Sequence, residues 1–135
     1  MRLEKLTHLD TNLAELENVV KKYSIDEIND DILKQWALRY GLFESIQIVI
    51  DIACHVVSHN NFGSTNTFRD CLDSLQKFDI IDDNLSKNLK NMVGLRNILV
   101  HDYVKIEVEK LYSYASDLKD FREFAECIKK FADMK

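Results

Sequence analysis

Apolar residues recur at intervals of three and four along nearly the whole chain, with polar residues filling the places between. From Leu3 to about Tyr23, Leu6, Leu9, Leu13, Leu16 and Val20 keep that spacing while Glu4, Lys5, Glu15, Glu17 and Lys21 fall elsewhere, which predicts an amphipathic helix of about six turns. Ser24 followed by Glu27 has capping-box spacing, and with no linker the next segment folds back antiparallel. Asp31 to His59 is the longest apolar segment. Ile46, Ile48, Val49, Ile50, Ile52, Ala53, Val56 and Val57 cover nearly all its sides, so it belongs at the centre of a bundle. Its β-branched content suits a strand, but a run this long without a turn signal favours a helix held by burial. Asn60 to Asn66 reads as a loop, and Thr67 can cap a short helix that turns Phe68, Cys71, Leu72, Leu75 and Phe78 inward. Asp83 can cap a helix with Leu85, Leu89, Met92 and Leu99 on one stripe. Asp102 begins a connection, Ile106-Glu107-Val108 extends briefly, and Leu111, Tyr114, Ala115, Leu118, Phe121, Ala125, Ile128 and Ala132 set a long final helix. The sum is an all-α, up-down bundle of about five helices, one domain spanning residues 1–135.

Composition agrees with this reading. Of 135 residues 46% are hydrophobic and 30% charged, with no proline and three glycines, which suits long helices and not a turn-rich β fold. No apolar run approaches the ~20 residues of a membrane span, and Met1-Arg2-Leu3-Glu4-Lys5 is no secretion segment, so a cytoplasmic protein is expected. Cys54, Cys71 and Cys127 are odd in number, lack Cys-x-x-Cys spacing and read as small core side chains in a reducing compartment, not as a disulfide framework. The net charge of −5 argues against capture of nucleic acid by a broad basic surface. It leaves room for a local positive cleft, and Lys87, Lys90, Arg96 and Lys105 cluster in sequence, unless the lysines are an ordinary solvated face.

Chemistry concentrates between Gly94 and Tyr103, where polar groups interrupt the apolar stripe. Arg96 takes the missing place beside Leu89, Met92 and Leu99. A guanidinium on a core-facing side keeps its proton, so it needs a carboxylate, a watery cleft or a bound anion. His101 lies about 140° further around the axis. One straight helix cannot aim both at one point, so either the helix ends between them or two copies of the chain share a site. On the central helix the polar exceptions form one line, Gln47, Asp51, His55 and His59, which should face a cleft, a partner chain or Arg96. His55 and His59 at i, i+4 with Asp51 a turn away resemble a metal pair, yet no third or fourth ligand is in prospect, and histidines satisfied in the core are preferred. No Gly-x-Ser-x-Gly, phosphate loop or placed Cys/His pair supports a hydrolase or NTPase of those kinds.

Arg96-Asn97, three apolar residues, His101, one residue and Tyr103 resembles the Arg-Asn-x-x-x-His-x-Tyr signature of the HEPN superfamily, most closely its HepT-like branch, the toxin half of HepT/MntA toxin–antitoxin pairs. Met92-Val93-Gly94-Leu95, Arg39-Tyr40 and Asp51-Ile52-Ala53-Cys54-His55-Val56-Val57 stand in the branch's order. Gln47 stands where a carboxylate is common. The resemblance implies a HEPN-like helical bundle forming a symmetric homodimer with paired motifs lining one cleft. It implies metal-independent RNA cleavage with no cofactor, catalysed by Arg96 and His101 and supported by Asn97, Asp51 and His55. It also implies a minimal nucleotidyltransferase partner that transfers AMP to Tyr103, with RNA as substrate and neither DNA nor membrane as partner. The residue types fit: His101 can move protons near neutrality, Arg96 offers a donor fork to phosphate, and Asn97 can orient either. The same resemblance carries a rival, a non-catalytic substrate- or nucleotide-binding subunit of a two-component nucleotidyltransferase. A plain helical adaptor is a third reading.

Overall fold

The structure, a computed structural model, describes residues 3–101 and 107–134, and every regular element among them is a helix. In order these are α1 (Leu3–Lys22), α2 (Ile25–Asn29), α3 (Ile32–His59), α4 (Phe68–Lys77), α5 (Asp83–Val100), α6 (Val108–Ser116) and α7 (Lys119–Asp133). Seven helices thus replace the expected five, and both extra boundaries have local causes. The Ser24/Glu27 capping box forms in full, but the helix it starts lasts only five residues. Asp31 then takes an extended backbone and accepts the Leu33 and Lys34 N–H groups, capping α3 afresh. The expected final helix breaks at Asp117, whose carboxylate accepts the Lys119 N–H, while the Ser116 hydroxyl bonds back to the Tyr112 carbonyl. Such local side-chain bonds compete with the helical ladder. The apolar face survives the break, since Leu111, Ala115, Leu118, Phe121, Ala125 and Ile128 are all buried.

α3 is the axis of the bundle. Leu38, Leu42, Ile46, Val49, Ile52, Ala53, Val56 and Val57 along it are fully buried, and Leu6, Leu9, Leu13 and Leu16 of α1 complete one side of the same core. The α1–α3 approach is closest at Gly41, where a Cβ would stand 2.8 Å from Leu16 Cδ2. Contrary to the sequence reading, α3 is long and apolar enough to cross a membrane by length and composition, with a mean hydropathy of 1.4 over an 18-residue window. Half of that window is buried within the bundle, as befits a core helix. Two inward assignments fail. Phe78 is 46% exposed and stacks on Phe62 at 4.2 Å, and Tyr114 is 42% exposed, while Phe124 is fully buried.

The cysteine reading also needs correction. Cys54 of α3 and Cys71 of α4 are joined in a disulfide, with Cα atoms 5.1 Å apart. That separation lies in the range a disulfide spans. The pairing arises because the two helices turn these side chains toward each other, which no spacing rule reveals. Cys127 remains a thiol, its pKa pushed up by burial.

A candidate active site at the end of the motif helix

The motif lies on the last two turns of α5 and just beyond. Asp82, one residue before the expected cap, accepts the Leu85 N–H at 2.8 Å and starts the helix. Leu85, Leu89 and Leu99 are buried on the predicted stripe. The helix ends at Val100, and His101 follows with φ −90° and ψ 108°, an extended backbone. One of the two alternatives for Arg96 and His101 is therefore realised: the helix stops between them. The exposed His101 is anchored by its main chain, whose carbonyl accepts a bond from Arg39 Nη2 of α3 at 3.3 Å.

Arg96 is half-buried and faces α3. Its Nη2 donates to Gln47 Oε1 at 3.2 Å, and its Nη1 makes a long contact to Asn97 Oδ1 at 3.4 Å. Its Nε–H is buried without a hydrogen-bond partner. Among the described residues no carboxylate lies within ion-pair distance of it, so the interior salt bridge left open by sequence is not what holds this group. Gln47 in turn donates from Nε2 to Asp51 Oδ1 at 3.0 Å, and Lys5 of α1 meets Asp51 Oδ2 at 3.2 Å. The polar line along α3 thus meets Arg96 through Gln47. His55 sits a turn further along, its ring stacked on that of His59 with centroids 5.5 Å apart. Among the described residues no three His, Cys, Asp or Glu side chains converge as metal ligands.

Of the cluster of cations, Lys90 is committed elsewhere, pairing with Asp73 of α4 at 2.5 Å. Lys105 and Tyr103, the expected AMP acceptor, lie outside the described residues. Beside His101, a groove of about 350 Å³ is lined by Trp36, Arg39, Tyr40, Phe43, Leu99 and Val100. Trp36, Tyr40 and Val100 are strongly exposed there, as are Ile32 and Leu33 one turn earlier on α3 and Ile98 on α5. Tyr40 is fixed by Glu44, which accepts its hydroxyl at 2.7 Å along with Asn12 Nδ2 and His8 Nε2. The Tyr40 and Asn12 hydrogen bonds hold the Glu44 carboxyl below its ordinary range. Sequence reasoning missed Lys5, Trp36 and Glu44, and placed Gln47 in the polar line of α3 without singling it out as the contact to Arg96.

Fold and site together define a helical bundle with an Arg/His pair presented at a helix end. The chain matches the model of the family "Ribonuclease HepT-like" over residues 9–128. It belongs to the HepT-like family. It is similar to an mRNA nuclease HepT of Shewanella oneidensis, 34% identical over 104 residues, 76% of this chain and 78% of that protein. It is also similar to a tRNA nuclease HepT of Aphanizomenon flos-aquae, 29% identical over 111 residues, 82% of this chain and 73% of the other. Among solved structures, the tri-AMPylated HEPN toxin of Shewanella oneidensis in complex with an MNT antitoxin superposes with a TM-score of 0.84 at 29% identity, covering 95% of this chain and 96% of that one.

Proposed function

We propose that this chain, residues 1–135 acting as one domain, is the toxin of a type VII-like toxin–antitoxin pair: a cytoplasmic, metal-independent RNA endonuclease working as a homodimer. One observation carries the reading. Arg96 is held by neutral amides with no carboxylate in ion-pair reach among the described residues, has a buried donor without a partner, and His101 emerges one turn away at the helix end. A buried guanidinium without a carboxylate is suited to an anion, and an orphaned donor costs free energy until an acceptor arrives. The anion is an RNA phosphate. His101 takes the proton of a ribose 2′-hydroxyl, the oxygen attacks the adjacent phosphorus, and Arg96 stabilises the charge gathering on the phosphoryl oxygens. The departing 5′-oxygen takes a proton, leaving a 2′,3′-cyclic phosphate and a 5′-hydroxyl. The required 2′-hydroxyl excludes DNA. Asn97, Asp51 and His55 support the cleft.

Arg96 faces α3 and His101 lies beyond the helix end, and a two-fold partner, which the resemblance implies, brings a second copy of each to the same cleft. The exposed apolar residues Ile32, Leu33, Trp36 and Tyr40 of α3, with Val100 of α5 next to His101, form the seam we assign to that partner. With two copies about one axis, each site joins Arg96 of one copy to His101 of the other, and the imidazolium formed in the first step returns its proton to the departing 5′-oxygen. The off-switch is AMP transfer to Tyr103 by a minimal nucleotidyltransferase antitoxin resembling MntA. A related toxin described as tri-AMPylated, in complex with its MNT antitoxin, supports this. Each added phosphodiester brings negative charge and bulk to a site meant for phosphate.

Mixing tests the arrangement. Arg96→Ala and His101→Ala proteins, each inactive alone, should regain RNA cleavage when exchanged into mixed dimers, because one of the two composite sites is then whole. A wild type that cleaves no RNA, with nucleotide binding retained in full by His101→Ala, would instead favour the binding-subunit alternative. Peptide mass analysis after co-expression with the antitoxin should place AMP on Tyr103, and AMP found only on other residues would overturn that assignment.

A further inference from the structure

Arg96 is tied to a chain of side chains that crosses three helices, Lys5 on α1, Asp51 and Gln47 on α3, and Arg96 on α5, with links of 3.2, 3.0 and 3.2 Å. We infer that Gln47 is a positioning residue that holds Arg96 without neutralising it, and that Asp51 and Lys5 act only by keeping Gln47 in that orientation. This inference rests on the proposed phosphate role of Arg96.

An amide side chain can present either its oxygen or its NH2 group to a neighbour. Gln47 Nε2 donates to the Asp51 carboxylate, which leaves Gln47 Oε1 facing α5. A guanidinium only donates, and Arg96 Nη2 meets that oxygen. The carboxylate therefore fixes the direction of the amide, and the amide fixes the guanidinium. Charge follows a separate route. Asp51 is paired with Lys5, both about two-fifths exposed, so its negative charge is balanced from α1 instead of by Arg96. A carboxylate at position 47, which the resemblance makes common in the branch, would pair with Arg96 and offset part of the charge that meets phosphate in this chain. With glutamine there, the guanidinium is oriented, uncompensated, and left with an unpartnered Nε–H for an incoming oxygen.

The test separates orientation from charge. Gln47→Glu should raise the KM for a short fluorescent RNA oligonucleotide about tenfold and lower kcat as well, because the charge it offsets serves both the bound phosphate and the transition state. It should also flatten the dependence of log affinity on log salt by about 0.7, one phosphate contact on a single strand. Gln47→Met, which lacks the acceptor but adds no charge, should lower kcat about tenfold or more while the salt slope stays at the wild-type value. Lys5→Met should alter KM in the native background and add nothing once Asp51→Asn is present, because Lys5 acts through Asp51. The side-chain ¹⁵N–¹H resonance of Arg96 Nε, recorded without RNA, should move in Gln47→Glu. An unmoved Arg96 resonance together with wild-type KM and salt slope in Gln47→Glu overturns the inference. So does a Lys5→Met effect that persists in full beside Asp51→Asn. A wild-type protein that cleaves no RNA sinks the nuclease reading alone, since the resonance still decides whether Gln47 governs Arg96.

Discussion

Arg96→Met separates what this residue does for the fold from what it does for chemistry. The substitution deletes two hydrogen bonds, one to Gln47 at 3.2 Å and a longer, exposed one to Asn97 at 3.4 Å. A bond to a charged group contributes about 1.5–3 kcal/mol and a long exposed one close to nothing. Against this, the change removes the buried, unpartnered Nε–H, an orphan that costs about 1–3 kcal/mol. It also places an unbranched apolar side chain on the stripe of Leu89, Met92 and Leu99, with little loss of volume. The two sides nearly cancel, and stability should stay within about 1.5 kcal/mol of wild type. RNA cleavage should fall by about 10²-fold or more, because the charge facing the phosphate is gone. Urea unfolding at one fixed protein concentration gives the first number, and initial rates on a labelled RNA give the second. A loss of more than about 3 kcal/mol would identify Arg96 as a structural hub whose removal strands a buried partner. Such a result would refute the view that its geometry serves an anion.

Gly94 lies in the exposed middle of α5 with nothing within 4 Å of a added Cβ, so Gly94→Ala should raise stability by about 0.5–1 kcal/mol. Gly41→Ala should cost about 1–3 kcal/mol by forcing Leu16 aside, and equal unfolding midpoints for the two variants would contradict the packing described. Because its folded pKa is depressed, Glu44 contributes stability that is present above its ordinary value of 4.5 and is lost as pH falls through the lower folded pKa. Acid titration of unfolding should therefore show a shallower loss for Glu44→Gln than for wild type, and identical profiles would count against the Tyr40–Glu44–Asn12 cluster. Thiol titration of the unfolded, unreduced protein should find one free thiol, Cys127, and three would exclude the Cys54–Cys71 bond.

The helices that carry continuous apolar stripes are legible in the sequence almost to the residue. α1 ends one residue before Tyr23, and α3 begins one residue after Asp31. What spacing hides is interruption. Hydrophobic periodicity runs unbroken through Asp117 because the core face is the same on both sides, and only the Asp117 and Ser116 side-chain bonds mark the stop. Phe124 escaped notice because Phe121, Ala125 and Ile128 already accounted for the stripe, yet it is fully buried. The disulfide depends on how α4 rolls against α3, a tertiary fact. In the site, the polar line from Gln47 to His59 is expected to face a cleft, a partner chain or Arg96, and of its members Gln47 is the one that bonds Arg96. Lys5 stayed hidden because a lysine on the polar side of an amphipathic helix looks solvated, and its partner Asp51 is 46 positions away in sequence. Trp36 stayed hidden for the opposite reason: a large apolar residue at helical spacing suggests core, whereas here it is exposed.

The account stands most directly on cleavage of RNA by purified protein in excess EDTA, wild type beside His101→Ala at matched folded concentration. It predicts that wild type cleaves in EDTA, leaves 2′,3′-cyclic phosphate ends and spares an oligonucleotide lacking the 2′-hydroxyl, with the rate falling about 10²-fold or more in His101→Ala. Cleavage abolished by EDTA, or an undiminished rate in His101→Ala, would contradict it.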